Sequence, residues 1–383
     1  MRRRVIISVI VAISICGIAY AIYAWSGIFT YGGMGISDME LSSTEGKLYV
    51  SYHLDNVVVE VDNSAMEESR RFNIVAPGRL VLDESDSFLY VTSLWPGKIN
   101  RVNLLNGQIS SINLGGEAVS AFLDEVNDKL WVVHRTWPLE GDIFSPSHLG
   151  SHPNTGFFTE IDTANFSIIG TYETSKLPSC IWYSEYAHKL YVYHEYVYAE
   201  FDEESRAYNW ESVVFRGGLI SSYNMGPGGP TYTGGPKGGL QDFIDELPMT
   251  MTDWTGEGRY FAVPARDVTK PGYTLRVFDT ADDSVALDYS IPGEDDEPIM
   301  IFDLEREVGT DYIWVIIQPV STPQGGDPDT RYIARIDTTT QDYTLYPVLE
   351  ASSWIGCLEI ASLARKAYMS MPMTGEIIVM DLE

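Results

Sequence analysis

Cysteine, lysine and histidine are scarce in this 383-residue chain, which holds three, eight and six of them. Three cysteines cannot build a disulfide framework, and these stand far apart: Cys16 in an apolar N-terminal run, Cys180 and Cys357 in segments that read as inner strands. Those two thiols are expected to be buried and separate, on opposite sides of the fold and beyond the roughly 7 Å Cα separation that a bridge tolerates. Basic residues number 25 against 54 acidic ones, a net charge of −29. Such a surface repels nucleic acid and anionic lipid, which removes nucleic acid as a partner class.

Signatures of common chemistries are missing as well. There is no Gly-x-Ser-x-Gly elbow. The Gly/Pro-rich stretch from Gly226 to Gly239 lacks the Walker Gly-Lys-Ser/Thr order and the third glycine of a dinucleotide fingerprint, and reads as a partner-binding or flexible loop. His148 and His152 are four apart, but Pro146, Gly150 and Pro153 make their segment a loop, and no third ligand is evident, so no metal site is assigned. The acidic run Glu294-Asp295-Asp296-Glu297 and the pair Asp327, Asp329 read as solvated loops without EF-hand spacing. Calcium is the one cofactor those carboxylates leave open.

What is present begins with Arg2-Arg3-Arg4 and an uncharged apolar run from residue 5 to 25. At roughly 1.5 Å per residue that run spans the ~30 Å hydrocarbon core of a bilayer. The preceding arginines place residues 1–4 in the cytoplasm and everything later outside the cell, as a signal anchor. The competing reading is a signal peptide cleaved after Ala19-Tyr20-Ala21, which makes the protein secreted. Either way the rest of the chain is expected to be extracytoplasmic.

Beyond residue 28 one phrase recurs seven times: a strand core centred on an aromatic residue, followed by a strand ending on Asp or Asn. The cores read Leu48-Tyr49-Val50, Leu89-Tyr90-Val91, Leu130-Trp131-Val132, Leu190-Tyr191-Val192, Arg259-Tyr260-Phe261, Ile313-Trp314-Val315 and Ala367-Tyr368-Met369. The closing residues read Asp62, Asn103, Asp162, Asp202, Asp279, Asp337 and Asp381. An earlier strand ends seven residues before the aromatic in six of the units; the sixth departs, with Asp303 eleven residues before Trp314. A period starting near forty residues and growing by loop insertion marks a radial β-array. The expected fold is therefore all-β: a seven-bladed β-propeller of four-stranded antiparallel blades over residues 28–383, preceded by one transmembrane helix.

These units resemble the YVTN and NHL-like group of β-propellers, in which Asp, a short gap, Leu-Tyr-Val, a gap and Ile-Asp recur. The resemblance covers about residues 36–383. It implies a propeller but no particular activity, because that group holds binding modules, lactonases and lyases. The recurring strand-end acids read as turn caps rather than catalytic groups. The last unit ends without an outer strand, and residues 28–31 (Ile-Phe-Thr-Tyr) have the length and composition to supply it.

Long insertions fall at 135–155, 215–248, 264–272, 290–297 and 318–330, all in connections that emerge on one face. Candidate binding residues on that face are Arg135, Trp137, Phe144, His148, His152, Tyr223, Tyr232, Asp253, Trp254 and Arg259, types enriched where proteins meet partners. His53, His134 and His194 read as polar strand-end residues. The leading expectation is a membrane-anchored binding or assembly module that contacts a protein or glycan at the cell surface through its membrane-distal face. The alternatives are a lactonase- or lyase-type enzyme using Asp253, Arg259 and His134, and an accessory subunit docked through Ser8, Ala12, Cys16 and Gly17 of the anchor.

Overall fold

In the computed structural model, residues 35–135, 156–174, 177–198, 200–202, 207–209, 215–226, 229–234, 251–266, 273–291, 299–319, 331–348, 355–372 and 374–382 are described. They form eight antiparallel sheets, seven of which follow one another along the chain as blades, six of them four-stranded. The first runs outward through Ile36–Leu41, Lys47–Tyr52, Val57–Asp62 and Glu67–Asn73. Inner strands of the other blades are Pro77–Leu82, Glu117–Asp124, Leu177–Ser184, Thr252–Asp253, Ile299–Arg306 and Leu358–Ala361. Second strands such as Lys47–Tyr52 are buried on both faces, so Leu48-Tyr49-Val50 reads as a continuous apolar run rather than an alternation. Outer strands such as Ile109–Asn113 alternate between exposed and half-buried residues, as a sheet with one wet face must.

The strand-end acids cap turns as expected. Asp62 accepts the N–H of Ser64 and Ala65, Asp162 that of Asn165, Asp279 that of Ala281 and Asp337 those of Thr339 and Thr340. Cys180 and Cys357 are free and buried.

Three units are built differently from their sequence reading. In blade four the second strand, Lys189–Tyr198, pairs with Phe215–Asn224, so the closing pair is Tyr223-Asn224. Phe201 and Asp202 belong to a separate hairpin of Glu200–Asp202 with Ala207–Asn209. The insertion thus begins between the second and third strands, and part of the segment expected as a loop, Phe215–Asn224 and Thr231–Gly234, is sheet. In blade five the register Phe261↔Phe278 and Tyr260↔Asp279 matches Leu48↔Val61 and Lys47↔Asp62 in blade one. Its core is therefore Phe261-Ala262-Val263, two residues beyond the expected one. Blade six does not depart: Glu307, directly after the inner strand, stands seven residues before Trp314 and receives its indole N–H at 2.8 Å.

The seventh blade shows three strands among the described residues, Leu358–Ala361, Lys366–Met371 and Glu376–Asp381. Residues 28–31, expected to complete it, lie outside the described residues, as does the apolar run 5–25. Among the described residues no helix is long and apolar enough to cross a membrane. A Cβ on Gly97 would meet the carbonyl oxygen of Gly116 at 2.0 Å, where the chain leaves the outer edge of blade two. Gly35 makes the matching approach at blade seven, where its Cβ would stand 3.0 Å from the Cα of Gly375. The chain thus enters blade one beside a turn of blade seven.

Candidate functional site

Each inner strand places one residue opposite the central residue of the second-strand core in its own blade, which is aromatic in six blades and Ala262 in blade five. The pairs are Glu40↔Tyr49, Val81↔Tyr90, Phe122↔Trp131, Trp182↔Tyr191, Thr252↔Ala262, Glu305↔Trp314 and Glu359↔Tyr368. Residues two positions earlier share the same strand face, because side chains alternate with a period of two. They are Asp38, Arg79, Ser120, Cys180, Asp303 and Cys357. The fifth-blade member, residue 250, lies outside the described residues. Two stacked layers of side chains therefore surround the axis, and each has its own chemistry.

In the first of these layers Arg79 is the cation. Its Nη1 lies 2.9 Å from Asp38 Oδ1, whose charge foremost keeps the guanidinium ionised, and Asp303, Cys180 and Cys357 also lie within its electrostatic reach. Those four partners come from blades one, six, four and seven, so the side chains converge on the axis. Asp38 Oδ2 also accepts the N–H of Leu80 at 2.7 Å, and Asp303 Oδ2 that of Leu358 at 2.9 Å. Each carboxylate thus serves the inward edge of the next blade, whose backbone donors have no ladder partner there. The same place in blade four is taken by Cys180, whose thiol faces the N–H of Met251 and the hydroxyl of Ser120.

The second layer is divided. Blades two, three and four contribute Val81, Phe122 and Trp182, while the consecutive blades six, seven and one contribute Glu305, Glu359 and Glu40. These glutamates are half-buried. Removal from bulk water pushes the Glu40 carboxyl up to about 8, with Asp38 adding to the rise. Burial and Asp303 push Glu305 well above the carboxylate range, and burial and Glu305 do the same to Glu359. Burial raises Asp303 to about 6 against the pull of Arg79. Five carboxyl groups facing one guanidinium cannot all be ionised, so the axis holds exchangeable protons near neutral pH.

Among the described residues no group of three or more His, Cys, Asp or Glu side chains is arranged to hold a metal ion. The calcium candidates at 294–297 and at 327 and 329 lie outside the described residues, as do Trp137, Phe144, His148 and His152. Arg135 ends a second strand at the loop-bearing face, buried, with Nε 3.1 Å from Glu117 Oε2. Tyr232 is 60% exposed, on the outer strand of blade four. Four other candidates are not displayed on that face. Tyr223 is a core residue of a third strand, packed edge-on against Phe158, and Trp254 is buried against Tyr289. Asp253 caps the tight turn after the inner strand of blade five through the N–H groups of Thr255, Gly256 and Gly258. Arg259 pairs with Asp279 at 2.8 Å on that same tight-turn side, opposite the long loops.

His134 is 3% exposed, with Nε2 2.9 Å from the Thr159 hydroxyl, and burial lowers its pKa to about 4. It is not brought together with Asp253 or Arg259. Of the axial residues the sequence placed only Cys180 and Cys357 on inner strands and missed the rest, although a signal exists: they stand nine and eleven positions before the aromatic in six blades. Asp303, eleven before Trp314, occupies the place that Asp38 holds before Tyr49.

No protein-family model and no curated protein matches this chain. Solved structures match in fold. The β-propeller domain of Cps50 (Swd1) from Myceliophteria thermophila is 10% identical, with 92% of this chain and 98% of that one covered and a TM-score of 0.57. The WD40 repeats of RRP9 are 8% identical over 88% of this chain and 87% of that one, with a TM-score of 0.54. The dihydro-heme d1 dehydrogenase NirN is 13% identical over 88% of this chain, which spans 61% of NirN's length, with a TM-score of 0.52. At such identities the likeness shows the propeller fold alone.

Proposed function

We propose that this chain is a membrane-anchored, extracytoplasmic propeller of the YVTN/NHL-like kind that binds a protein or glycan through its loop-bearing face. One observation carries the reading. The long excursions that follow Arg135, Tyr198, Gly234, Arg266, Ser290 and Pro319 all connect second to third strands or outer to inner strands, and so leave the scaffold on one side. The opposite side is made of short turns closed by their own side chains, which leaves little to vary. The arginines and apolar run at residues 2–25 support an anchor, and the acidic surface fits a soluble domain exposed to salt.

The test separates anchor from face. A chain lacking residues 1–25 and a full-length chain in which residues 136–155 are replaced by a two-residue turn are compared with the intact protein. Membrane fractionation, external protease accessibility and cross-linking at the cell surface are the readouts. Loss of the membrane fraction in the first and of the cross-linked partner in the second is expected. A partner retained by the loop-replaced chain, or a propeller shielded from external protease, overturns the reading.

An enzyme of lactonase or lyase type is the second reading, and the axial carboxyl groups favour it. Asp303, near pKa 6 with the half-buried Arg79 guanidinium acting on it, has the proton affinity of a general acid or base. Turnover of lactones that disappears in Asp303→Asn, with folding intact, is its test.

A further inference from the structure

Among the described residues the circle closes between blades seven and one by side-chain and backbone contacts alone. Two other seams carry a carboxylate at the axis: Asp38 reaches from blade one to Leu80 of blade two, and Asp303 from blade six to Leu358 of blade seven. At the closing seam the corresponding residue is Cys357. Across the seam its thiol reaches the carbonyl of Ser37, at 3.5 Å, and within its own blade it meets the Ser370 hydroxyl. A thiol is a weak donor and gives this seam no charge-assisted bond at the axis. The described anchor on the tight-turn side is Glu45, whose two oxygens accept the N–H groups of Leu363 and Ala364 at 2.8 Å each.

Glutamates stand on both sides of that weaker axial end. Glu359 of blade seven and Glu40 of blade one hold the same register, and Glu305 follows in blade six. The groups facing them are known. Asp38, Asp86 and Arg79 act on Glu40, which also accepts the N–H of Leu82. Asp303, Glu40, Asp38 and Arg79 act on Glu305, and Glu305, Glu40, Asp38 and Asp303 act on Glu359. Arg79 is the one cation among them and is already paired with Asp38.

We infer that the closing seam is a proton-operated latch: protonated, the Glu305–Glu359–Glu40 arc lets blades seven and one stay joined at the axis, and ionised, it drives them apart there. Neutral carboxyl groups donate and accept hydrogen bonds, whereas three carboxylates with one committed cation repel one another at a poorly solvated axis. The sign follows from the raised proton affinities. The folded state keeps protons that an unfolded chain gives up above about pH 4.3. Closure is therefore favoured at low pH and weakens as pH rises toward about 8, the value for Glu40.

The two axial cysteines make a paired reporter, with Cys357 at the seam and Cys180 in blade four, away from it. The full-length protein is alkylated briefly between pH 5.5 and 9, and modification at each cysteine is read by peptide mass spectrometry. The expected result is a Cys357-to-Cys180 labelling ratio that rises at least fivefold with pH, and a much flatter ratio in Glu40→Gln/Glu359→Gln. Single Glu359→Gln, which keeps two of the three carboxyls, gives an intermediate rise and stands in if the double variant does not fold. A constant ratio, equal labelling of both cysteines, or an undiminished rise in the variants overturns the latch.

Discussion

The carboxylate of Glu45 in blade one accepts the backbone N–H of Leu363 in blade seven at 2.8 Å, so a side chain near one end of the propeller caps a turn near the other. Removing it by Glu45→Ala should lower stability by about 1 kcal/mol, a modest figure because the bond is solvent-exposed. The loss should show as faster hydrogen exchange in Leu358–Ala361 than in the inner strands of blades two to four. Uniform exchange across all blades would contradict a role in closure.

Glu307 is 3% exposed and binds the indole N–H of Trp314 at 2.8 Å. Glu307→Ala leaves that donor buried without a partner, an expected cost of about 2 kcal/mol in denaturant melts. Glu307→Gln keeps an acceptor oxygen in place and should cost less than half as much. Equal losses would show that charge, not the hydrogen bond, matters here.

Arg79→Met strips Asp38 of its counter-charge while Asp38 still holds Leu80. A loss of about 2–3 kcal/mol is expected, below the full value for a wholly buried pair because the Arg79 side chain is 35% exposed. Adding Asp38→Asn should recover part of it. The double-mutant cycle is the measurement, and strict additivity would deny the coupling.

His134 contributes a pH dependence of opposite sense to the axial acids. Its folded pKa, about 4, lies below the unfolded value near 6.5. The unfolded chain therefore takes up a proton first, and stability present above pH 6.5 is lost as pH falls toward 4. In His134→Gln this acid-side loss should vanish, so the gap in melting temperature between wild type and variant narrows from pH 7 to pH 4.5. A gap independent of pH would mean that the ring does not titrate as its burial requires.

Trp95 is 62% exposed in the turn between second and third strands of blade two, on the loop-bearing face. Trp95→Ser should leave the melting temperature unchanged within about 0.5 kcal/mol of stability while weakening partner cross-linking severalfold. Unaltered cross-linking would remove this blade from the binding surface.

The blade count was legible because apolar second strands recur at a regular offset from the strand before them. It failed locally where loops imitate or shift the phrase. Phe201-Asp202 has the right letters but pairs with Ala207 and Tyr208 in its own hairpin. In blade five the turn is one residue longer, since Trp254 N bonds Tyr260 O where Ser42 N bonds Lys47 O, and this pushes the core onto Phe261. Candidate sites fared worse. Aromatic and charged letters such as Trp254 and Arg259 say nothing about which face they meet, and the axis became visible only when strands were compared by pairing register. No shared residue type marks it: Asp38, Arg79, Ser120, Cys180, Asp303 and Cys357 have six positions and four chemistries.

That diversity gives the axis an orientation that the backbone lacks. Seven similar blades are nearly interchangeable under rotation, but an arc of Glu305, Glu359 and Glu40 facing Val81, Phe122 and Trp182 is not. The side chains around the axis form a dipolar, one-handed wall. Turning it by a single blade exchanges carboxyl for hydrocarbon, so an asymmetric guest has one preferred azimuth, and mirror-image guests are distinguishable by a scaffold whose frame is almost rotationally symmetric.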